Sequence, residues 1–290
     1  MSLCNEITLG VYTVETMLLL YKSLFLQVVL YNSQAWCNLT KQEISTLNTV
    51  QMKYLKRIFH APPSTSNPIT LLETGNIPIE QEINKRQLNY LHHILRQDKD
   101  DPIKMVYDEE LKLSHQNNWA NEVKLLRKKY EIAETDAEIE DYTKDRWKNI
   151  VDRKVKAYAI DMLNKELSSQ KHGAKMYLYD QLKAQDYLKT LTPHKARKLF
   201  HVRAGILDIK TVRKYWYGDA DKNCRLCHQE EEDVDHVVNR CINITRTGSI
   251  ANILTNNIVD MEAIADRCIC FATKVKELTE TTIHPRLSKE

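Results

Sequence analysis

The sequence predicts an all-α fold: a multi-helix assembly with a small, separately stapled module near its C-terminus. Three observations lead there. Six glycines and seven prolines in 290 residues are too few for the turns of an all-β protein and suit long helices with short joints. Apolar residues recur at three- and four-residue spacing through most of the chain, and no stretch alternates strictly enough to read as a strand. Three of the seven cysteines crowd into residues 224–241 together with two histidines. The length allows one large domain or two ordinary ones, with enough chain to bury a sizeable core.

The elements follow in order. "MLLLYKSLFLQVVLY" (17–31) is apolar but short and contains Lys22 and Gln27; a membrane span needs about 20 mostly apolar residues, so this is a buried helix. Thr40 and Glu43 stand at capping-box spacing before a helix over 40–59, with Ile44, Leu47, Val50, Tyr54, Leu55 and Ile58 as its apolar stripe and Lys53, Lys56 and Arg57 beside it. "APPSTSNP" (61–68) is a joint. "ITLLETG" is a short helix stopped by Gly75, and Pro78 fits the first position of the next, whose face is Ile83, Tyr90, Leu91, Ile94 and Leu95. Beyond Pro102, Trp119, Val123, Leu126 and Tyr130 share a face; the acidic block from Glu131 to Asp141 is a solvated face or loop. A long helix runs from Thr143 to about Ser169 with Trp147, Ile150, Val151, Tyr158 and Met162 inward, ended by "KHGA" (171–174). Pro193 starts another, closed by Gly205, and the last candidates are 249–256 and 260–278. No internal repeat is visible.

The cysteines are odd in number and are not spread as a disulfide framework. The first residues lack a secretory pattern, so a reducing compartment, nuclear or cytoplasmic, is expected. Clustered cysteines there bind metal more often than they pair. The cluster reads Cys224-x2-Cys227-x8-His236-x4-Cys241. The close pair fits a tight turn, and His236 and Cys241 lie about one helical turn apart. Three thiolates and an imidazole form a closed tetrahedral shell for one zinc ion, structural because no position stays open for water. Cys4, Cys37, Cys268 and Cys270 stand outside the cluster. His228 adjoins Cys227 too closely to share its metal. "HQE" (228–230) mimics the His-x-Glu of zinc deaminases, but it follows the cysteine pair instead of preceding a Pro-Cys-x-x-Cys, which argues against that activity.

A net charge of +3 says little, so charge distribution carries the argument. The loop between the ligand pairs is acidic (Glu230, Glu231, Glu232, Asp233, Asp235). Residues 193–217 are the opposite: Lys195, Arg197, Lys198, Arg203, Lys210, Arg213 and Lys214 stand against Asp208 alone, and Tyr215, Trp216 and Tyr217 close the run. Such a strip can neutralise phosphates and stack bases of RNA or DNA; the plainer reading is a solvated helix face with core aromatics. No paired carboxylates, Ser/His/Asp set or glycine-rich phosphate loop marks a catalytic residue.

These segments, in this order, resemble the C-terminal part of a non-LTR (LINE-type) retrotransposon reverse transcriptase. "VVLYNSQAW" with "LTKQEISTLNTVQMKYLKRIF" resembles its thumb region, "LLETGNIPIEQEINKRQLNYLHHIL" the helical stretch that follows, and "LFHVRAGILDIKTVRKYW" leading into Cys-Cys-His-Cys its end segment. The resemblance implies 1–60 as a thumb-like segment, 61–192 as a helical linker, 193–245 as basic segment and zinc module, and 246–290 as C-terminal helices. It implies zinc on Cys224, Cys227, His236 and Cys241, and gives Leu199, Phe200 and Arg203 a structural or RNA-contacting role. The family usually has Tyr-Gly-Ser-Glu-x-Trp where this chain has Tyr31, Asn32, Ser33, Gln34, Ala35 and Trp36. The catalytic Tyr/Phe-x-Asp-Asp motif is absent, and the residues after Cys241 are too few for a nuclease. The expected function is therefore a non-catalytic fragment gripping template RNA or target DNA, with the polymerase part of the parent element as a further partner and no membrane. The competing expectation is a helical zinc-containing scaffold that binds protein.

Overall fold

The computed structural model describes residues 12–113, 117–133, 135–170, 179–217, 221–245, 248–253 and 255–283, without the side chains of 214–217 and 281–283. Cys4 and "KHGA" lie outside them. The all-α expectation holds: the described residues contain helices and no strand, beyond one isolated antiparallel bridge between Asn223 and Glu231.

Helix α1 starts at Val14–Leu20, passes through a π-helical turn at Tyr21–Phe25 and ends at Leu26–Val29. Only one side is buried, through Val14, Met17, Leu18, Tyr21 and Leu26, while Leu19, Leu24 and Val28 face outward. No helix among the described residues is long and apolar enough to cross a membrane. The following turn places Asn32 at φ +56. Asn tolerates this left-handed conformation better than most residues other than Gly. The segment is then clamped to its neighbours: Gln87 donates to Trp36 O at 2.6 Å, Arg86 to Leu30 O at 2.7 Å and Trp119 Nε1 to Gln34 O at 2.9 Å.

Helix α2 (Lys41–Ile58) opens on the full Thr40–Glu43 capping box. Its buried face is shifted from the expected stripe: Val50 is exposed, and Gln51 is fully buried. Gln51 is inward because its amide bridges Tyr21 Oη at 2.7 Å and Ile77 O at 2.9 Å, a polar link that hydrophobic spacing does not reveal. Helix α3 (Asn67–Thr74) ends at Gly75, φ +64. A Cβ there would also overlap the backbone of Lys183 and Ala184, so glycine is required by both conformation and space.

Helices α4 (Ile79–Leu95), α5 (Pro102–Lys112), α6 (Trp119–Lys129), α7 (Asp136–Glu140) and α8 (Lys144–Ser169) follow. Part of the acidic block is thus the helix α7, capped by Thr135 and Glu138, with Asp136 paired to Arg127. On α8 the buried residues are Trp147, Val151, Val155, Ala159, Leu163 and Leu167. Tyr158, expected inward, is half-exposed and meets the edge of the Tyr130 ring at 5.2 Å. A row at i+4 drifts about 40° per step on a helix of 3.6 residues per turn, so α8 presents its buried face progressively around its axis. Trp147 to Ala159 accordingly join a core with Leu88, Leu91, Trp119 and Val123, whereas Leu163 and Leu167 join a second core. Ile79 and Ile83 of α4 belong to that second core and Leu88 to Leu95 to the first, so α4 and α8 run through both.

The second core also takes in α1 to α3, α9 (Tyr187–Thr190), α10 (Pro193–Arg203), parts of 224–244 and α12 (Ile258–Ile283). The short helix α11 (Lys210–Tyr217) precedes the cysteine cluster. Residues 249–256, expected to be helical, are not helical where described; only the last candidate forms, as α12. Asn-rich residues 252–257 favour local side-chain bonds over helix, as Asn257 N to Thr255 Oγ1 at 2.9 Å shows.

At the centre of the second core Glu73 is fully buried. Its carboxylate accepts from Arg203 Nε at 2.7 Å, Tyr187 Oη at 2.7 Å and Tyr179 Oη, and its carbonyl accepts from Gln185 N at 3.0 Å. Burial and the facing carboxylate raise the pKa of both phenols, which stay protonated as donors. Breaking one partner of such a pair costs about 3–5 kcal/mol. Glu73→Gln, which keeps the size but strands Arg203, is expected to lower stability by that amount in urea unfolding, with the slope of the transition unchanged.

His201 on α10 lies with Nε2 2.8 Å from Phe59 O. Burial lowers its pKa from 6.5 to about 4, opposed by that carbonyl and reinforced by Lys198, His60 and Arg197. The unfolded chain takes up the proton first. The contribution is therefore complete above the unfolded value and is lost as pH falls from 6.5 towards 4, by roughly 3 kcal/mol. Stability curves for the wild type and His201→Gln are expected to converge across this window, the variant lacking that part of the acid slope.

Candidate metal centre and the basic strip

The module begins where the chain doubles back. Cys224 N donates to Glu230 O at 2.7 Å and Glu232 N to Lys222 O at 2.8 Å. Within that loop His228 N reaches Cys224 O at 2.9 Å, and His228 takes φ +58. This tight turn carries the Cys224 and Cys227 thiols, and it makes His228 part of the turn's backbone; its side chain is not in the metal-ligating group. On the other side a π-helical turn spans His236–Arg240, with Cys241 N donating to His236 O at 2.7 Å. A π-turn aligns residues five apart, the separation of His236 and Cys241. Asp233 Oδ1 accepts from His236 N at 2.6 Å and starts the turn.

The four ligand atoms lie within 4.8 Å of one another, and the group could hold a metal ion. Cys224 and Cys241 Sγ are 3.8 Å apart, and Cys227 Sγ is 3.3 Å from His236 Nε2. A tetrahedral ion with sulfur ligands at about 2.3 Å and nitrogen at about 2.0 Å requires edges of about 3.8 Å and about 3.5 Å, close to these two separations. Cys224, Cys241 and His236 are buried and Cys227 is half-buried. Burial pushes the Cys241 thiol up to about 12 and raises Cys224. It acts on Cys227 too, but donors from Gln229 and Glu230 and the Cys224 thiol outweigh it and lower that pKa. Metal binding must therefore displace protons, chiefly from Cys224 and Cys241.

Two acids of the loop have roles that composition alone does not show. Glu230 Oε2 lies 3.2 Å from His236 Nδ1, which leaves Nε2 facing the thiols, and it also accepts from Arg240 at 2.8 Å. Glu232 is fully buried and accepts from Lys210 N at 2.9 Å, Arg225 N at 2.8 Å and the Arg225 guanidinium at 2.7 Å. Asp233 and Asp235 both pair with Arg240. Each of the five acids thus has a cationic partner in Lys222, Arg225 or Arg240, the last shared by three of them. The module is seated on α12: Arg267 donates to Val238 O at 2.9 Å and Gly248 O at 3.0 Å, and Arg225 stacks over Phe271 at 5.6 Å.

The basic strip is divided by the fold. Lys195 is paired with Glu262 at 2.7 Å and Asp266 at 2.9 Å. Arg203 is 3 % exposed against Glu73, which corrects its placement among nucleic-acid contacts: its role is structural. Leu199 and Phe200 are buried, Phe200 stacking on Phe59 at 4.0 Å. Lys210 pairs with Asp221 and Arg213 with Asp208 at 3.2 Å. Arg197 is half-buried and donates to Ile58 O at 2.9 Å, and Lys198 is half-buried. The side chains of Lys214, Tyr215 and Trp216 lie outside the described residues. Sequence spacing missed that Arg57 of α2 and His60, just past its end, meet this strip. The pKa of His60 is lowered by burial, then by Arg197, Arg57 and His194; that of His194 by burial, then by Lys198 and Arg197.

Losing the carboxylate behind a ligating histidine typically costs 10–100-fold in metal affinity. Glu230→Gln is expected to weaken binding by about that factor while retaining metal at saturation. Cys224→Ser, Cys227→Ser, His236→Ala and Cys241→Ser are expected to lose it, and His228→Ala and Cys268→Ser to keep it. Metal content per chain and a competitive chelator titration check the set.

No protein-family model matches this chain, and neither the curated proteins nor the solved structures yield a match.

Proposed function

We propose that the chain is a non-catalytic nucleic-acid-binding unit in which a structural zinc ion, held by Cys224, Cys227, His236 and Cys241, fixes the end of a basic face. Zinc is favoured over other cations by the donor set, three thiols and one imidazole within 4.8 Å of one another. Four protein ligands leave no coordination site for a reacting water, and the ion's work is to hold the 224–241 loop on α12.

The observation that carries the binding reading is the cationic cluster at the start of α10. His194, Arg197 and Lys198 sit close enough to His60 and Arg57 for the cations to depress the histidines, and no carboxylate is among the influences on either. Phosphates supply the missing charge. The resemblance to the C-terminal part of a LINE-type reverse transcriptase supports the same reading, and the left-handed turn at Asn32, where that family carries glycine, agrees with it. In this reading the chain grips template RNA or target DNA while a polymerase part elsewhere performs synthesis.

Arg197→Ala with Lys198→Ala is expected to weaken binding to labelled RNA or DNA at every salt concentration. It should also flatten the logarithmic salt slope by roughly one unit per contact removed. The purified chain is expected to show no primer extension. Unchanged affinity across the salt series, with native circular dichroism, would count against this surface.

A further inference from the structure

A groove of about 920 Å³ runs along α2 and the joint that follows it. Its apolar lining comes from Ile44, Met52, Ala61 and Pro63, with Asn48 and Thr49 between them. Lys41, Lys53, Arg57 and His60 also line it, and no carboxylate does. Lys41, Lys53 and Arg57 form no ion pair with a carboxylate among the described residues, in contrast to Lys195, Lys210, Arg213, Arg225 and Arg240. An apolar lining with unneutralised cations is chemically unfinished.

We infer that this groove docks an amphipathic acidic helix of a partner protein, apolar face on Ile44 and Met52 and carboxylates on Lys41, Lys53 and Arg57. The mode follows from the fold. With no strand among the described residues to extend, strand addition is closed to this surface, and an apolar floor along a helix, flanked by charges, suits a helix laid in a groove. The charge of the partner follows from the groove's own. The 18 residues of α2 span about 27 Å, enough to meet several turns of a partner. A nucleic acid fits less well, because aliphatic side chains offer no face for base stacking and the one aromatic ring in the lining is His60. The groove adjoins the α10 cluster and shares Arg57 and His60 with it; Lys41 and Lys53 belong to the groove and not to the 193–217 strip, so they are the residues that separate the two surfaces.

Fluorescence anisotropy on the full chain tests it with three labelled probes. One is a synthetic helical peptide with leucines along one face and glutamates elsewhere. The second has lysines in place of the glutamates, and the third is a single-stranded oligonucleotide. The glutamate peptide is expected to bind and the lysine peptide not. Lys41→Glu with Lys53→Glu, both exposed side chains, should weaken peptide binding at least about tenfold, as expected for reversal of contacting charges. Ser45→Trp, which fills the groove without changing charge, should abolish it. Neither variant should alter oligonucleotide binding, whereas Arg197→Ala with Lys198→Ala should alter that alone. Failure of the glutamate peptide to bind, equal binding of both peptides, or loss of oligonucleotide binding in the Lys41→Glu, Lys53→Glu variant would overturn the inference.

Discussion

The carboxylate of Glu73 lies where water does not reach, and the second core is arranged to answer it. Its partners Tyr179, Tyr187 and Arg203 all come from one later part of the chain, 106 to 130 positions beyond Glu73. A hydrophobic contact can slide or repack, but a buried charge tolerates few substitutes for its partners. The chain at 183–187 must therefore pass directly over the end of α3, which is why Gly75 admits no Cβ. Arg203 must point inward from a helix otherwise rich in outward cations. The same interaction that orders the core thus decides which basic side chains of α10 remain for other work.

The metal module repeats this logic on a smaller scale. Glu232 is also a buried acid answered by an arginine, and its other bonds come from the backbone of α11 and of the cysteine turn. The Cys224, Cys227, His236 and Cys241 group and the Glu232 bonds both fall on this one short loop. Attachment of the module to α12 is polar, through Arg267 and Lys274 to backbone carbonyls, with Val237, Val238 and Ile244 packed beneath. Helix α10 and the cysteine cluster consequently both pack on α12, within the second core.

Much of this was legible in the sequence, for physical reasons. The capping box at Thr40, the stop at Gly75, the face of Trp119 to Tyr130 and the four ligands are local patterns, set by residues within a turn or two of each other. What escaped was non-local or polar. Val50 fits helical spacing yet faces out, because the inward position belongs to Gln51 and its bonds to Tyr21 and Ile77. Tyr158 fits an apolar stripe, yet the i+4 row from Trp147 to Leu167 is what packs. Arg203 reads as one basic residue among seven until Glu73, 130 positions away, is brought beside it. The role of Glu230 is visible only once the loop doubles back and sets it behind His236.

Helices α4 and α8 each contribute side chains to both cores. A helix forms cooperatively along its length, so loosening one core frays a rod that the other core needs intact. The two clusters are spatially distinct but thermally tied: heat or denaturant acting on either is transmitted through two shared rods, and the helical body melts as one cooperative unit instead of two successive foldons.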